Sequence, residues 1–225
     1  MNTMHVSRWL MVSPEGPETC AKNGDLVHLR QGDADGACGP YALMMALITL
    51  GALERAEVSS MNLWDGRSRE GKFRNALISH GALISSGTNG EDLATLGQHF
   101  RGSGIDVEHL TGSKKQLVNE LCNALSRDGI PLIGVSWSKH SGHWMMVVGH
   151  QGYEHEGHYQ LTHLLCLDPG AEAPKAALWN AVIEVFTDDG LSVSRGIYSS
   201  NHWGMDGHTS ACKLDEAIVL ESNKE

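Results

Sequence analysis

The sequence predicts an α+β protein in which a helical first part is followed by an antiparallel β-sheet. The segment from Cys38 to Leu50 is apolar on nearly every side, which indicates a helix buried on most faces. Other helix-like segments, separated by glycine and serine, continue to about residue 129. Beyond "RDGIP" the hydrophobic period changes to two, and short strand-like runs alternate with turn residues. Helices followed by strands in this order are typical of the α+β class.

Four helices are predicted in the first part of the chain. The first starts at Cys38, and Gly51 is a stop signal at its end. A weaker helix is predicted around residues 69–80. In "GTNGEDLATLGQHFRG", Asn89 or Thr88 caps the third helix. A serine cap opens the fourth, "SKKQLVNELCNALSRDG", whose leucines recur at intervals of four residues.

The second part contains five strand-like runs: "PLIGVSW", "HWMMVVGH", "YQLTHLLCLD", "AVIEVF" and "EAIVLES". The polar loop "QGYEHEGH" separates the second run from the third, as an antiparallel hairpin requires. A turn centred between His155 and Glu156 places His143 opposite Asp168. Directly opposed residues project from the same face of a sheet, so this register brings the two side chains together, whereas a slip by one residue would turn them apart.

Composition and charge limit the classes of function. The 225 residues are 41% hydrophobic and 20% charged, as in an ordinary globular protein. The formal net charge of −10 argues against a nucleic acid partner, because phosphate binding needs clustered lysine and arginine. No apolar run approaches the roughly 18 residues that cross a bilayer, so no membrane partner is predicted.

Cysteine usage and the N-terminus bear on the compartment. The five cysteines are scattered and contain no CxxC pair, which favours free thiols in a reducing environment over a disulfide framework. The start "MNTMHVSRWLMVSPEGPETC" lacks the basic beginning and the clear small-residue cleavage site of a conventional secretory signal. A cytoplasmic location is therefore the default expectation, and export without a conventional signal peptide is the alternative.

Cys38 is a candidate nucleophile. A thiol is reactive as the thiolate, and a position at a helix N-terminus beside an imidazolium lowers its pKa. Pro40 is tolerated in a first helical turn, and Gly39 lets another chain approach the thiol closely. His143 is the candidate base, and Asp168 would hold its imidazole in one tautomer while the other ring nitrogen faces the thiol. The alternative for Cys38 is a buried cysteine that begins a core helix.

Three other groups compete with this interpretation. His140 lies three residues before His143 and is the rival base, ranked second because it would precede the strand. His155, His158 and His163 raise a zinc site as an alternative, but their spacing matches no standard ligand pattern and a solvated loop is favoured. The segment "SNHWGMDGH" could line the rim of a cleft, although a polar loop is favoured there too. We therefore predict no metal and no cofactor.

Four motifs follow one another along the chain: Gln31, the helix start "ACGPYALMMAL", the run "GHWMMVVG" and the run "LLCLDPG". In this order they resemble the motifs of papain-like cysteine peptidases, most closely the group that processes bacteriocins with double-glycine leaders. The segment "GTNGEDLATLGQHFRGSGIDV" looks like the middle region of that group, so the resemblance covers about residues 31–170. It implies a papain-like fold, in which an N-terminal helical lobe with the nucleophile helix packs on a C-terminal antiparallel β-sheet lobe.

The resemblance also implies a role for each motif. Cys38 corresponds to the nucleophile, His143 to the general base and acid, and Asp168 to the orienting group. Gln31 would donate its side-chain amide to the oxyanion, together with the backbone amide of Cys38. Gln31 lies seven positions before Cys38, whereas six are usual in the family, and the glycines of "GDADGA" provide for an extra residue as a bulge.

The predicted organisation is an N-terminal extension of unknown role, residues 1–30, followed by a single papain-like catalytic domain, residues 31–225. The helical lobe would cover about residues 31–129 and the sheet lobe about residues 130–225. The predicted function is hydrolysis of a peptide or protein amide bond through a thioester on Cys38. Two alternatives stay open: a deamidase or transglutaminase-like acyltransferase on the same residues, as in a bacterial effector or toxin, and an inactive module kept for binding.

Overall fold

The computed structural model describes residues 1–20, 24–32, 36–63, 65–79 and 87–223, which form ten strands and five α-helices. The strands are β1 (Asn2–Val6), β2 (Leu10–Ser13), β3 (Gly16–Thr19), β4 (Ile105–Thr111), β5 (Ile130–Ser138), β6 (Ser141–His155), β7 (His158–Leu167), β8 (Ala181–Glu184), β9 (Ser200–Gly204) and β10 (Thr209–Ser222). The helices are α1 (Cys38–Thr49), α2 (Arg55–Ser59), α3 (Arg69–Ser79), α4 (Gly90–Gly97) and α5 (Lys114–Ser126). Short 3₁₀ helices cover Met61–Leu63 and Gln98–Ser103.

A closed antiparallel barrel of six strands dominates the fold. Strand β6 closes it, because one edge of β6 pairs with β5 and the other with β7. The remaining neighbours follow in the order β5, β10, β9, β8 and β7. Strand β1 pairs with the second half of β6, and β4 pairs with the second half of β10, so both long strands continue past the barrel. Strands β2 and β3 form a separate hairpin.

The predicted architecture, an α+β papain-like fold with a helical lobe packed on a sheet lobe, is wrong. Helices make up only about 28% of the described residues, and the sheet closes on itself instead of presenting one face to a helical lobe. Strand β4 lies within the part predicted to be helical, and β1 to β3 precede it. These strands are short, and β1 and β4 find their partners far along the chain, at residues 149–153 and 216–222. Local sequence patterns do not reveal such pairings.

Several individual elements agree with the prediction. The five predicted strands are β5, β6, β7, β8 and β10, and the weaker helix predicted around residues 69–80 is α3, with residue 80 outside the described residues. Asn89 caps α4 by accepting a hydrogen bond from a first-turn amide at 2.8 Å. Ser113 and Gln116 form a reciprocal capping box at the start of α5. In the part of the chain that the structure describes, no helix is both long and apolar enough to cross a membrane.

Helix α1 is buried on almost every side. It has no polar face, and eleven of its residues are buried. It packs against β6, where Leu43 and Met45 belong to the same core as Met146 and Val148. Because the core surrounds the whole helix, packing determines the orientation of α1 and therefore the position of its first residue, Cys38.

The hairpin of β6 and β7 pairs two residues out of the predicted register. His155 pairs with His158, so the turn is centred between Glu156 and Gly157. Two irregularities further along the hairpin shift the register by one residue and then back again. Outside the stretch between the two irregularities, the offset of two residues leaves side chains on their predicted face, because side chains alternate with a period of two. His143, near the start of β6, therefore still projects on the face expected for a contact at the end of β7.

Strand β1 and the residues that follow it are joined to the rest of the fold by hydrogen bonds to backbone carbonyl groups. Strand β1 lies along β6, and the N–H of Ser7 donates to the carbonyl of Val148 at 2.8 Å. The indole Nε1 of Trp9 donates to the carbonyl of Asp128 at 2.7 Å. The division of the chain at residue 30, into an extension and a single catalytic domain, stays a prediction.

Replacing Leu43 with alanine is expected to lower the free energy of unfolding by about 2–5 kcal/mol, because the leucine is fully buried in α1 and its truncation leaves a cavity. Leu63→Ala is the matched control: Leu63 is 78% exposed, and its loss is expected to cost no more than about 0.5 kcal/mol. Urea-induced unfolding measures both values. Equal losses for the two variants would contradict the central position of α1.

Candidate active site

The thiol of Cys38 lies at the N-terminus of α1, as the first residue of the helix. Ala37 precedes it, and because a methyl side chain cannot cap a helix, the first-turn amides are left without a side-chain acceptor from this residue. Cys38 is 6% exposed. The side chain of His143 and the backbone N–H groups of Trp144 and Gly39 lie near the sulfur and lower the pKa of its thiol. The helix terminus therefore presents the sulfur to an imidazole.

His143 comes from β6 and connects Cys38 with Asp168. Its Nε2 lies 2.5 Å from Oδ1 of Asp168. Since Nε2 is engaged there, Nδ1 is the ring nitrogen that is left to face the sulfur. The ring of Trp137 lies beside the imidazole, with 6.0 Å between the ring centroids. His143 is thus hydrogen-bonded to Asp168 and interacts electrostatically with Cys38, and the three residues are called the triad below.

A buried network holds Asp168 just beyond the end of β7. The N–H of Gly170 donates to Oδ1 of Asp168 at 2.6 Å. Asn180 is fully buried; its Oδ1 accepts from the N–H of Asp168 at 2.6 Å, and its Nδ2 donates to the carbonyl of Asp168 at 2.9 Å. Nε2 of His28 lies 3.0 Å from the same carbonyl. These bonds hold the backbone of Asp168 in the position that directs its carboxylate to His143.

The electrostatics of the triad favour an ion pair between Cys38 and His143. Burial raises the pKa of the Cys38 thiol, but the hydrogen bond and charge of His143, helped by two backbone amides, bring it below its ordinary value. Burial lowers the pKa of His143, yet the contacts with Asp168 and Cys38 prevail and raise it to about 10. Burial also opposes ionisation of Asp168, but its bond with His143 brings the pKa of the carboxyl below the usual value. An imidazolium beside a carboxylate is therefore favoured at neutral pH, and the lowered pKa of Cys38 increases the share of its thiolate.

Cys38 and His143 line a cleft of about 710 Å³. Its lining also includes residues 87–89 and residues 134–136 of β5. The indole Nε1 of Trp144 donates to the carbonyl of Thr88 at 2.8 Å and so ties residues 87–89 to β6. The volume lies within the range of about 300–1,000 Å³ that ligand-binding clefts occupy.

Gln31 lies beside the carboxylate end of the triad. Its N–H donates to the carbonyl of Pro169, the residue after Asp168, at 2.9 Å. Its Oε1 is buried and has no hydrogen-bond partner among the described residues. Residues 33–35, which belong to the glycine-containing insertion before Cys38, lie outside the described residues. A role for Gln31 at the oxyanion stays a prediction.

The other histidine candidates lie apart from the triad chain. His140 lines the cleft and is exposed. His158 is exposed at the start of β7, and Nδ1 of His163 lies 2.8 Å from Oγ1 of Thr162. The side chain of His155 lies outside the described residues. Within the described ranges, no group of three or more His, Cys, Asp or Glu side chains is placed to hold a metal ion.

Four side chains around the triad were not singled out from the sequence. His28 and Asn180 hold the backbone of Asp168, and they carry no sequence signal because their partners are main-chain groups. Trp137 and His202 pack against the triad from β5 and β9. The segment "SNHWGMDGH", favoured as a polar loop, begins with β9, and its histidine–tryptophan pair was the available signal for His202.

The chain matches no protein-family model and no curated protein sequence. Among solved structures it is similar to a double glycine motif protease from an AMS/PCAT transporter, crystallised in complex with the leader peptide. The TM-score is 0.38 and the sequence identity is 10%, with 87% of this chain and 91% of the other chain covered. Similarity at this level establishes neither a shared fold nor a shared function. The function therefore has to be argued from the geometry of the site.

Asn180→Leu is expected to lower the free energy of unfolding by roughly 3 kcal/mol, because it leaves the buried N–H of Asp168 without its acceptor and takes a donor from two carbonyls. Asn201→Leu is the matched control, since it removes one half-buried hydrogen bond to Glu184 and is expected to cost about 1 kcal/mol. Urea-induced unfolding compares the two. A smaller loss for Asn180→Leu than for Asn201→Leu would contradict the supporting role of Asn180.

Proposed function

We propose that this protein is a cysteine-dependent hydrolase that cleaves an amide bond in a peptide or protein. The observation that carries the proposal is the triad beside one cleft, in which His143 is hydrogen-bonded to Asp168, the pKa of the Cys38 thiol is lowered and that of the imidazole is raised. Cysteines without such a partner behave in the opposite way: removal from water raises the pKa of the half-buried Cys122 to about 12 and that of the buried Cys166 well above its ordinary value. Strongly perturbed groups that share a cleft are typical of catalytic sites.

The proposed reaction is acyl transfer to water. The thiolate of Cys38 attacks the carbonyl carbon of the substrate amide, and the carbonyl bond opens to a tetrahedral oxyanion. The imidazolium of His143 gives its proton to the amide nitrogen as the C–N bond breaks, which releases the amine and leaves a thioester on Cys38. His143, now neutral, takes a proton from a water molecule whose oxygen attacks the thioester. The acid product leaves, and the thiolate and imidazolium are restored.

Asp168 supports both half-reactions. Its bond to Nε2 keeps Nδ1 of His143 toward the sulfur, whether the ring is charged or neutral. The carboxylate also stabilises the imidazolium that exists before attack and forms again after hydrolysis.

The oxyanion needs donors close to Cys38. The N–H groups of a first helical turn have no intrahelical acceptors, and the helix dipole is positive at this end, so the backbone amide of Cys38 is suited to the role. The side-chain amide of Gln31 is proposed as the second donor. It would come from the segment that hydrogen-bonds to Pro169, next to the triad carboxylate.

Labelling with iodoacetamide tests the activated thiol without a known substrate. At about pH 7, Cys38 is expected to react faster than Cys20, an exposed thiol, because the interaction with His143 lowers the pKa of Cys38 and the thiolate is the nucleophile. His143→Ala removes the imidazole that lowers the pKa of the Cys38 thiol, whereas burial continues to raise that pKa. The labelling rate of Cys38 is therefore expected to fall by at least about 30-fold. His140→Ala is the matched control and is expected to leave the rate unchanged. Mass spectrometry of the peptides resolves the individual cysteines.

Product analysis by mass spectrometry of a peptide library tests the reaction itself. The wild-type protein is expected to yield cleavage products that Cys38→Ala does not. A deamidated or amine-linked product would instead assign the acyltransferase alternative. Slow labelling of Cys38 at the rate of Cys20, without any product, would refute the hydrolase and leave a binding module.

Gln31→Ala is expected to lower kcat by about 100-fold, the usual consequence of losing one oxyanion donor. It is expected to leave the labelling of Cys38 unchanged, because alkylation of the sulfur forms no oxyanion. Gln98→Ala, at an exposed position beyond α4, is the control for the loss of a glutamine side chain. An unchanged kcat in Gln31→Ala would remove Gln31 from the oxyanion site.

A further inference from the structure

A second cavity reaches the triad, separate from the cleft that Cys38 lines. It has a volume of about 600 Å³, and His143 and Asp168 form part of its lining. Trp137 and His202 line it as well. This cavity is therefore the other route by which side chains and solvent approach the triad carboxylate.

The two oxygens of Asp168 differ in their partners. Oδ1 accepts from Nε2 of His143 and from the N–H of Gly170. Oδ2 lies 3.8 Å from Nε2 of His202, and within the described residues that nitrogen is buried without a hydrogen-bond partner. An unprotonated Nε2 would present a lone pair to a buried carboxylate oxygen. The proton of the neutral ring therefore belongs on Nε2, where it is directed toward Oδ2.

The surroundings of His202 hold its ring in this place. Strand β9, which carries it, pairs with β8 and β10, so the backbone is supported on both edges. The ring packs edge-on against Trp137, with 5.5 Å between the centroids, and the side chain is 14% exposed. Turning the imidazole away from Asp168 would require these contacts to break.

The charges that face His202 favour its neutral form. Burial lowers its pKa from the ordinary value, and the positive charge of His143 acts in the same direction, whereas Asp168 and Asp206 oppose it. The ion pair of Arg30 with Glu172, together with His208, lines the same cavity. At neutral pH His202 is thus a neutral hydrogen-bond donor beside a carboxylate that already has one imidazolium partner.

We propose that His202 is a positioning residue of the triad, whose Nε2–H donates to Oδ2 of Asp168 and keeps Oδ1 directed at His143. The proposal rests on the proposed function. A shift of about 1 Å or less brings the pair into the ordinary hydrogen-bond range of roughly 2.7–3.2 Å, and contacts at catalytic sites are often long before substrate binds. Without this donor, Oδ2 loses its nearest side-chain partner, and only the two bonds to Oδ1 oppose rotation of the carboxylate about its Cβ–Cγ bond.

The consequence appears in the acid limb of thiol reactivity, the fall in the labelling rate of Cys38 as pH decreases. A carboxylate that loses a donor has a higher pKa, so Asp168 would become protonated, and would release His143, at a higher pH than in the wild type. Because the imidazolium keeps the pKa of Cys38 low, the thiolate would also be lost at a higher pH.

Two substitutions that differ only in reach test the proposal. His202→Gln keeps an N–H donor near the position of Nε2, whereas His202→Asn carries the same amide on a side chain too short to reach Oδ2. Labelling of Cys38 by iodoacetamide is measured across the acid limb, with Cys20 as the internal reference. His202→Asn is expected to move the limb upward by about one pH unit, a tenfold slower reaction at a fixed pH on that limb. His202→Gln is expected to stay close to the wild type.

His208→Asn is the matched control, since His208 is exposed and lines the same cavity. Thermal unfolding of each variant separates a loss of stability from a shift of the limb. If the acid limb of Cys38 labelling does not move in His202→Asn, while Cys38 still reacts faster than Cys20, the role of His202 is overturned and the proposed function stays intact. Wild-type Cys38 that reacts no faster than Cys20 would overturn the proposed function itself.

Discussion

The hydrogen bond between His143 and Asp168 is the interaction on which the rest of the site depends. It joins the beginning of β6 to the residue that follows β7, two ends that antiparallel pairing brings to the same edge of the barrel. Asn180 and the N–H of Gly170 fix the acceptor, and the barrel strands fix the donor ring. The buried helix α1 places Cys38, its first residue, beside the imidazole of His143.

Burial raises the pKa of several thiols in this chain, but the net shift at Cys38 has the opposite direction to that at Cys122 and Cys212. In Cys122 and Cys212, removal from water raises the pKa of the thiol to about 12, which keeps the sulfur protonated and inert. Cys38 experiences the same penalty, but an imidazole and two backbone amides compensate the charge of its thiolate. Around Cys38, low solvent exposure strengthens the attraction between thiolate and imidazolium, because less water screens it. Since Cys38 and Cys212 are both buried, it is their neighbours that distinguish the chemistry of these two thiols.

Sequence patterns were sufficient where the interaction is local or periodic. The apolar run after Cys38 indicated α1, and alternating residues indicated the hairpin; the error of two residues in its register left His143 and Asp168 on the predicted face. The fold class was wrong because closure of the barrel depends on pairings between distant, short strands, such as β4 with β10. Asn180 was missed for a related reason: its partners are main-chain groups, which look alike at every position of a sequence.

A closed barrel also limits how the cleft can move. In a protein built from two lobes, the groove between them can widen by rotation about a hinge. In this chain the strands that carry His143 and line the cleft belong to one continuous hydrogen-bonded ring, and Trp144 ties residues 87–89 to the same ring. The aperture above the sulfur is consequently set by side chains and loops, so a substrate of the kind proposed above would have to be thin and extended where it passes them.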